Sequence, residues 1–192
     1  MKPRHIAVLA LQGAFAEHEA MFRRIGAQPR QVRSLSDWPQ QLDGLVIPGG
    51  ESTAQLKLLC ELGLLQPVRQ AILDGLPVFG TCAGLILLAK QEDGEPRHGI
   101  ATMDIDVCRN AYGRQLGSFN AVGPVKGVGD AVPQTFIRAP YVHRTLSDQV
   151  RILARTDGHI TAVQQGRQIA TAFHPELTDD ERLHRYFLDM IG

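Results

Sequence analysis

Cysteine is scarce in this 192-residue sequence: Cys60, Cys82 and Cys108 are the three present, with no Cys-x-x-Cys pair and no metal-ligand spacing. An odd, scattered set excludes a disulfide framework and a structural zinc site, so reduced thiols and no bound metal are expected. Net charge is missing too. The 20 Lys+Arg cancel the 20 Asp+Glu, which leaves no basic field to condense on a phosphate backbone or an anionic membrane, and neither is expected as a partner. No apolar run approaches the roughly 18 residues of a bilayer crossing. Met1-Lys2-Pro3-Arg4-His5 leads into a short strand instead of a signal-peptide core, so a soluble, cytoplasmic protein is expected. Linkers, repeats and low-complexity segments are absent as well. With 44% hydrophobic and 21% charged residues, the composition fits one globular domain over 1–192.

What is there reads as alternating strands and helices. Ile6 to Leu11 is a short unbroken apolar run closed by Gln12-Gly13, the pattern of a parallel strand buried on both faces. Phe15, His18, Phe22 and Ile25 recur at helical spacing over 14–25, and Gly26 stands where a left-handed C-terminal residue belongs. A second strand is expected near Gln31-Val32-Arg33. Leu45-Val46-Ile47 runs into Pro48-Gly49-Gly50 and a helix over 52–62, with Leu56, Leu59 and Cys60 on one face; the Ser52-Thr53 pair reads as its cap. Pro77-Val78-Phe79 repeats the pattern, running into Gly80-Thr81-Cys82-Ala83-Gly84 and an apolar helix over 85–89. Repeated units of this kind imply a three-layer α/β fold, a mostly parallel central sheet flanked by helices. Pieces at 105–107, 135–138, 150–154, 160–163 and 169–173 read as mixed or antiparallel additions to that sheet. A helix over 179–190 closes the chain, with Thr178 and Glu181 at capping-box spacing and Leu183, Tyr186, Phe187 and Ile191 inward.

Gly80-Thr81-Cys82-Ala83-Gly84 sets a cysteine in a G-x-C-x-G turn between a buried strand and a helix, the thiol counterpart of a hydrolase nucleophile elbow. Such a turn holds the sulfur above the carboxyl edge of the sheet, where backbone N–H groups favour thiolate and can stabilise an oxyanion. Cys60 and Cys108 lack the glycine frame and read as small core residues. A cysteine nucleophile needs a base, and His174-Pro175-Glu176 follows the buried run Ile169 to Phe173. Residues two apart in an extended segment point to the same side, so Glu176 can hold the imidazole of His174, giving nucleophile, base and orienting carboxylate. Ser52 is a rival nucleophile without the second flanking glycine. Gly49-Gly50 could cradle a phosphate, but no G-x-G-x-x-G or Walker lysine accompanies it, and an oxyanion-hole loop is the better use. His18 and His184 on helices, and His98, His143 and His159 elsewhere, read as ordinary structural residues.

These motifs identify a resemblance to class I, triad-type glutamine amidotransferases, and among them to glutaminase subunits of pyridoxal phosphate synthases. The broad class accounts for Pro48-Gly49-Gly50, the Cys82 turn and His174-Pro175-Glu176. The narrower resemblance rests on Leu9-Ala10-Leu11-Gln12-Gly13-Ala14-Phe15, Pro48 to Thr53, Arg109-Asn110-Ala111-Tyr112-Gly113-Arg114-Gln115, Phe136-Ile137-Arg138-Ala139-Pro140 and Phe173 to Thr178. Ala54 and Asn120 depart from the pattern, where a threonine and an acidic residue are usual. The resemblance implies a flavodoxin-like three-layer fold, Cys82 as nucleophile, His174 as general base and acid, and Glu176 as its orienting residue. It further implies that Gly49, Gly50, Glu51, Ser52, Arg109, Ile137 and Arg138 line the L-glutamine site. The backbone N–H groups of Gly50 and Ala83 would form the oxyanion hole. No cofactor is implied. The implied partner is a synthase subunit that receives ammonia, with the Gln12-Gly13 loop near the interface.

Overall fold

The computed structural model describes residues 3–109 and 117–192, so the 110–115 part of the Arg109 motif lies outside the described residues. The first half contains β1 (His5–Leu9), α1 (Phe15–Arg24), β2 (Gln28–Val32), β3 (Gly44–Ile47), α2 (Ser52–Glu61), α3 (Leu65–Leu73), β4 (Val78–Thr81) and α4 (Ala83–Leu88). Strands dominate the rest: β5 (Ala89–Glu92), β6 (Glu95–Pro96), β7 (Met103–Cys108), β8 (Ser118–Val125), β9 (Gly129–Ile137) and β10 (Tyr141–Thr145). β11 (Val150–Thr156), β12 (His159–Gln165), β13 (Gln168–Thr171) and α5 (Arg182–Ile191) complete the chain. Among the described residues no helix is long and apolar enough to cross a membrane.

The central sheet has the order β2-β1-β3-β4-β13-β12-β10-β7-β5-β6, with β11 also paired to β12. From β2 to β13 every pairing is parallel, and from β13 through β12 and β10 to β7 every pairing is antiparallel. The fold is therefore α/β with a mostly parallel centre and antiparallel additions, as expected. Burial explains the composition of the strands: Ile6, Ala7, Val8, Leu45, Val46, Val78 and Phe79 have no exposed surface, because helices cover both faces. Phe79 meets the rings of Phe187 on α5 at 5.7 Å and His18 on α1 at 5.9 Å. Its neighbour Gly80 faces the other way, where a Cβ would stand 2.8 Å from Leu88 Cδ1 of α4. Successive strand residues point to opposite faces, so α1 and α5 cover one side and α4 the other.

The structure corrects several sequence expectations. All of the 135–138 piece but its last residue lies in β9, which among the described residues pairs only with β8 in a separate two-stranded sheet; Val132, Gln134 and Phe136 are its buried positions, and Phe119 stacks on Phe136 at 4.5 Å. The cap of α2 is Glu51, whose carboxylate accepts the N–H groups of Thr53 (3.0 Å) and Ala54 (2.7 Å); Ser52 is already helical. Because Ala54 contributes a backbone group there, the missing threonine costs the cap nothing. The buried face of α2 is Ser52, Gln55 and Leu59, and Cys60 is exposed while Cys108 is half-buried, so neither is the small core residue expected. α5 starts at Arg182 without the Thr178–Glu181 capping box: Thr178 Oγ1 donates to Pro175 O, and Asp180 accepts the Arg182 N–H. α3, which the sequence reading did not include, buries Val68 and Ile72.

Four strands adjacent in the sheet, β1, β3, β4 and β13, run parallel and end at one edge, in register through Ile47 opposite Gly80 and Thr81 opposite Thr171. The segments that follow them, at Gln12, Gly49, Cys82 and His174, therefore leave the sheet side by side, at the edge where open α/β sheets bind ligands. Close packing of α4 on β3 requires glycine at 84, where a Cβ would fall 2.2 Å from the Ile47 carbonyl oxygen. Gly84→Ala should gain about 1 kcal/mol of helix propensity and lose about 3 kcal/mol to overpacking against rigid backbone. Urea unfolding should show a net destabilisation of roughly 1–2 kcal/mol; a variant as stable as the parent would contradict this packing.

Candidate active site

Cys82 sits at the junction of β4 and α4 with φ +48° and ψ −97°, a sparsely populated conformation for a residue with a side chain, of the kind kept at functional turns. Its N–H donates to Thr171 O at 2.8 Å, tying the turn to the end of β13. The residues after β13 return over it. His174 N donates to Thr135 O of β9 at 2.8 Å, which fixes the segment against the hairpin. His174 Nδ1 donates to Glu176 Oε1 at 2.7 Å, which leaves Nε2 as the ring nitrogen that can serve the Cys82 thiol, on the wall of the same cavity. Gly49 allows this closeness: a Cβ there would stand 2.2 Å from His174 Cε1.

Burial acts against a charged His174, but hydrogen bonds to Cys82 and Glu176 and the charges of those groups outweigh it and push the imidazole up to about 10. For Glu176 burial acts upward, and His18 and His174 outweigh it to hold the carboxyl below its ordinary value. A proton held more tightly in the fold than in the unfolded chain stabilises the fold below pH 6.5, and that contribution is lost as pH rises through about 10.

A cavity of about 610 Å³ opens above the sulfur, lined by Gly49, Gly50, Glu51, Ser52, Cys82, Arg109, Ile137, Arg138 and His174. Every residue that the sequence pointed to as glutamine-binding is thus on its wall. Glu176 lies behind His174, buried, and Ala83 is buried under the turn and does not line the wall. Sequence reasoning did not include Ala14, Ile86, Pro140 and Leu177, which also face the space; apolar residues just after a motif carry no separate signal. Gln12 and Gly13 line it as well, expected only near an interface. That loop is laced to the glycine loop: Ala14 N donates to Gly49 O (2.9 Å), Glu51 N to Gln12 Oε1 (2.7 Å), and Gln55 Nε2 to Gln12 O (2.9 Å).

Beside the glycine loop Arg109 pairs with Glu92 (3.2 Å) and Glu51 (3.5 Å) and donates to Thr53 Oγ1 at 3.2 Å. The two N–H groups it accepts, from Thr53 first and then Ala54, hold the Glu51 carboxyl below its ordinary value, so it presents a negative charge to the cavity. The wall thus offers a cation and an anion to a zwitterionic ligand, beside a thiol with a base. Ser52 Oγ is buried and makes no hydrogen bond among the described residues. His18 departs from its ordinary reading: it is fully buried and reaches Glu176 Oε2 at 3.5 Å. Replacing Glu176 with Gln should lower the His174 titration by about 1–3 units, as followed by its ring protons in NMR; an unmoved titration would show that the carboxylate does not charge the imidazole.

The sequence profile of the SNO glutamine amidotransferase family matches residues 8–192. A curated relative from Streptococcus pneumoniae, "Pyridoxal 5'-phosphate synthase subunit PdxT", is 52% identical over 188 residues, covering 96% of each chain. A solved structure titled "Crystal structure of glutamine amidotransferase" superposes with a TM-score of 0.90 at 43% identity, covering 97% of this chain and 98% of that one. A putative GMP synthase component from Thermoplasma acidophilum, at 20% identity and a TM-score of 0.72, covers 100% of this chain and 95% of its own, and shares the fold. With its α/β sheet, its cysteine turn and a profile match over nearly its whole length, this chain belongs to the SNO glutamine amidotransferase family.

Proposed function

We propose that this protein hydrolyses L-glutamine to glutamate and ammonia and hands the ammonia to a synthase subunit that makes pyridoxal phosphate. The observation that carries this reading is Cys82 in its strained turn beside the His174–Glu176 pair, at the floor of an open cavity. Family membership and relatives bearing the name of a pyridoxal phosphate synthase subunit support it. Residues 1–192 act as one glutamine amidotransferase domain, and the cytoplasm, which keeps thiols reduced, suits three unpaired cysteines.

In the proposed reaction the Cys82 thiolate, whose proton already rests on His174, attacks the side-chain amide carbon of glutamine. The carbonyl electrons move onto oxygen, and the N–H groups of Gly50 and Ala83 face that oxyanion. Collapse of the tetrahedral adduct breaks the C–N bond; His174 returns the proton to the departing nitrogen, leaving a thioester and free ammonia. Water, deprotonated by His174, then attacks the thioester, and glutamate leaves as the C–S bond breaks and Cys82 departs as thiolate, paired again with the charged His174. Glu51 meets the substrate α-ammonium and an arginine its α-carboxylate. Arg109 is already engaged by Glu92 and Glu51, whereas Arg138 makes no ion pair among the described residues.

The partner also sets the activity. The C=O and N–H of a trans peptide point in opposite directions, so the bond from Ala14 N to Gly49 O fixes where the Gly50 N–H points. A partner that shifts the Gln12-Gly13 loop frees that peptide to complete the oxyanion hole. Ile137 and Leu177, apolar and about two-fifths exposed at the cavity rim, suit a surface that another protein covers. Ammonia release from L-glutamine should rise when the synthase subunit is added, and Cys82→Ala should cut it to below about a thousandth in the complex. Unchanged release in Cys82→Ala would remove the mechanism; if the free protein turns over as fast as the complex, the gating alone is removed.

A further inference from the structure

Behind the proposed triad lies a buried polar chain that the reaction above does not use. The His18, Thr81 and His184 residues have no exposed surface, and neither does the Glu176 side chain. His18 Nδ1 lies 3.0 Å from His184 Nε2, and His18 Nε2 lies 3.1 Å from Thr81 Oγ1 and 3.5 Å from Glu176 Oε2. Thr81 Oγ1 accepts the Gly49 N–H at 3.0 Å and donates to Glu176 Oε1 at 3.4 Å. Among the described residues Glu176 Oε2 has no hydrogen bond of ordinary geometry, so His18 is the donor standing closest to serving it.

These contacts determine the proton positions. Burial first, and the charge on His174 after it, outweigh the pull of Glu176 and Glu17, so His18 is held below its ordinary value, which favours its neutral form. A neutral imidazole has one donor and one acceptor. If Nε2 were bare, its lone pair would face a carboxylate at 3.5 Å; the proton is therefore on Nε2. His18 Nδ1 is then the acceptor, and His184 Nε2 donates to it. The Thr81 oxygen, accepting from Gly49 and His18, has its own hydrogen left for Glu176. One tautomer of each histidine satisfies the hydrogen bonds of the chain; the lone pair of His184 Nδ1 has no partner among the described residues, and Glu176 Oε2 has the His18 Nε2–H, at 3.5 Å, as its nearest donor.

We infer that His18 is a positioning residue for the reaction: its Nε2–H anchors Glu176 Oε2 and the Thr81 hydroxyl, so that Glu176 Oε1 stays aimed at His174. The inference rests on the triad reading proposed above. Through Thr81 the same chain reaches the Gly49 amide, so the carboxylate and the glycine loop share one anchor. His184, held by Phe22 and Phe79 at ring distances of 5.0 and 5.5 Å, sets the tautomer of His18.

The test compares glutamine turnover in the complex with the synthase subunit for His18→Leu, His18→Gln and the parent, with Cys82→Ala as the blank. The amide of Gln can place a donor near the Nε2 position. Losing the outer partner of a metal-ligating side chain costs about 10–100-fold; by the same orienting logic His18→Leu should lower kcat about tenfold or more with KM within about twofold, and His18→Gln should recover most of it. In a Glu176→Gln background, adding His18→Leu should change kcat by less than about twofold. Equal losses in Leu and Gln, or an undiminished loss in the Glu176→Gln background, would make His18 a packing residue and overturn the inference. If His18→Leu does not fold, nitrogen NMR of the unaltered chain decides: a proton on His18 Nε2 is expected, and one on Nδ1 alone would overturn it. Turnover surviving in Cys82→Ala would instead remove the triad, and this inference with it.

Discussion

A carboxylate with no solvent exposure must be met by hydrogen-bond donors or give up its charge, and the Glu176 carboxylate is met from three directions. His174 comes from its own segment, Thr81 from the end of β4, and His18 from α1. Each of those donors is itself fixed by something larger. Pro175 and the bond to Thr135 set the His174 segment, the β4–β13 register sets Thr81, and the aromatic packing of α1 and α5 on Phe79 sets His18. The charge at Glu176 thus depends on the sheet, the helix layer and the hairpin being in place together.

The topology supplies the rest of the site economically. Parallel strands that end at one edge bring segments from residues 12, 49, 82 and 174 together, although they are far apart in sequence. Thr81 faces His18 and Cys82 follows on the turn, so two adjacent residues serve different layers of the same site. The glycine loop can lie against the imidazole because Gly49 has no side chain to hold it off. The hairpin of β8 and β9, separate from the main sheet, places Ile137 and Arg138 at the cavity mouth.

Much of this was legible in the sequence because the signals are local. An apolar run, a glycine turn and a helix face can be read from neighbouring residues, and the Cys82 turn and His174-Pro175-Glu176 are contiguous. What failed depended on contacts across the fold. Glu51 won the cap of α2 over Ser52 and Thr53 because the loop before the helix is held by Gln12, a restraint 39 residues away. His18 sits at the spacing of a core position, and nothing in its helix announces a carboxylate 158 residues later, in Glu176. β8 and β9 were missed as a sheet of their own because strand patterning shows which residues alternate, not which sheet they join. Cys60 belongs to an apolar stretch, but the helix turns it to solvent while Gln55, a polar residue, goes inward to hold the Gln12 loop.

The central claim is that one thiol of three is built to react with glutamine. Treating the complex with a glutamine-analogue electrophile and mapping the adduct by peptide mass spectrometry tests it with internal controls, since Cys60 is exposed and Cys108 half-buried. The account predicts a single adduct on Cys82 that excess L-glutamine suppresses. Labelling that follows exposure, with Cys60 first and Cys82 spared, would contradict it.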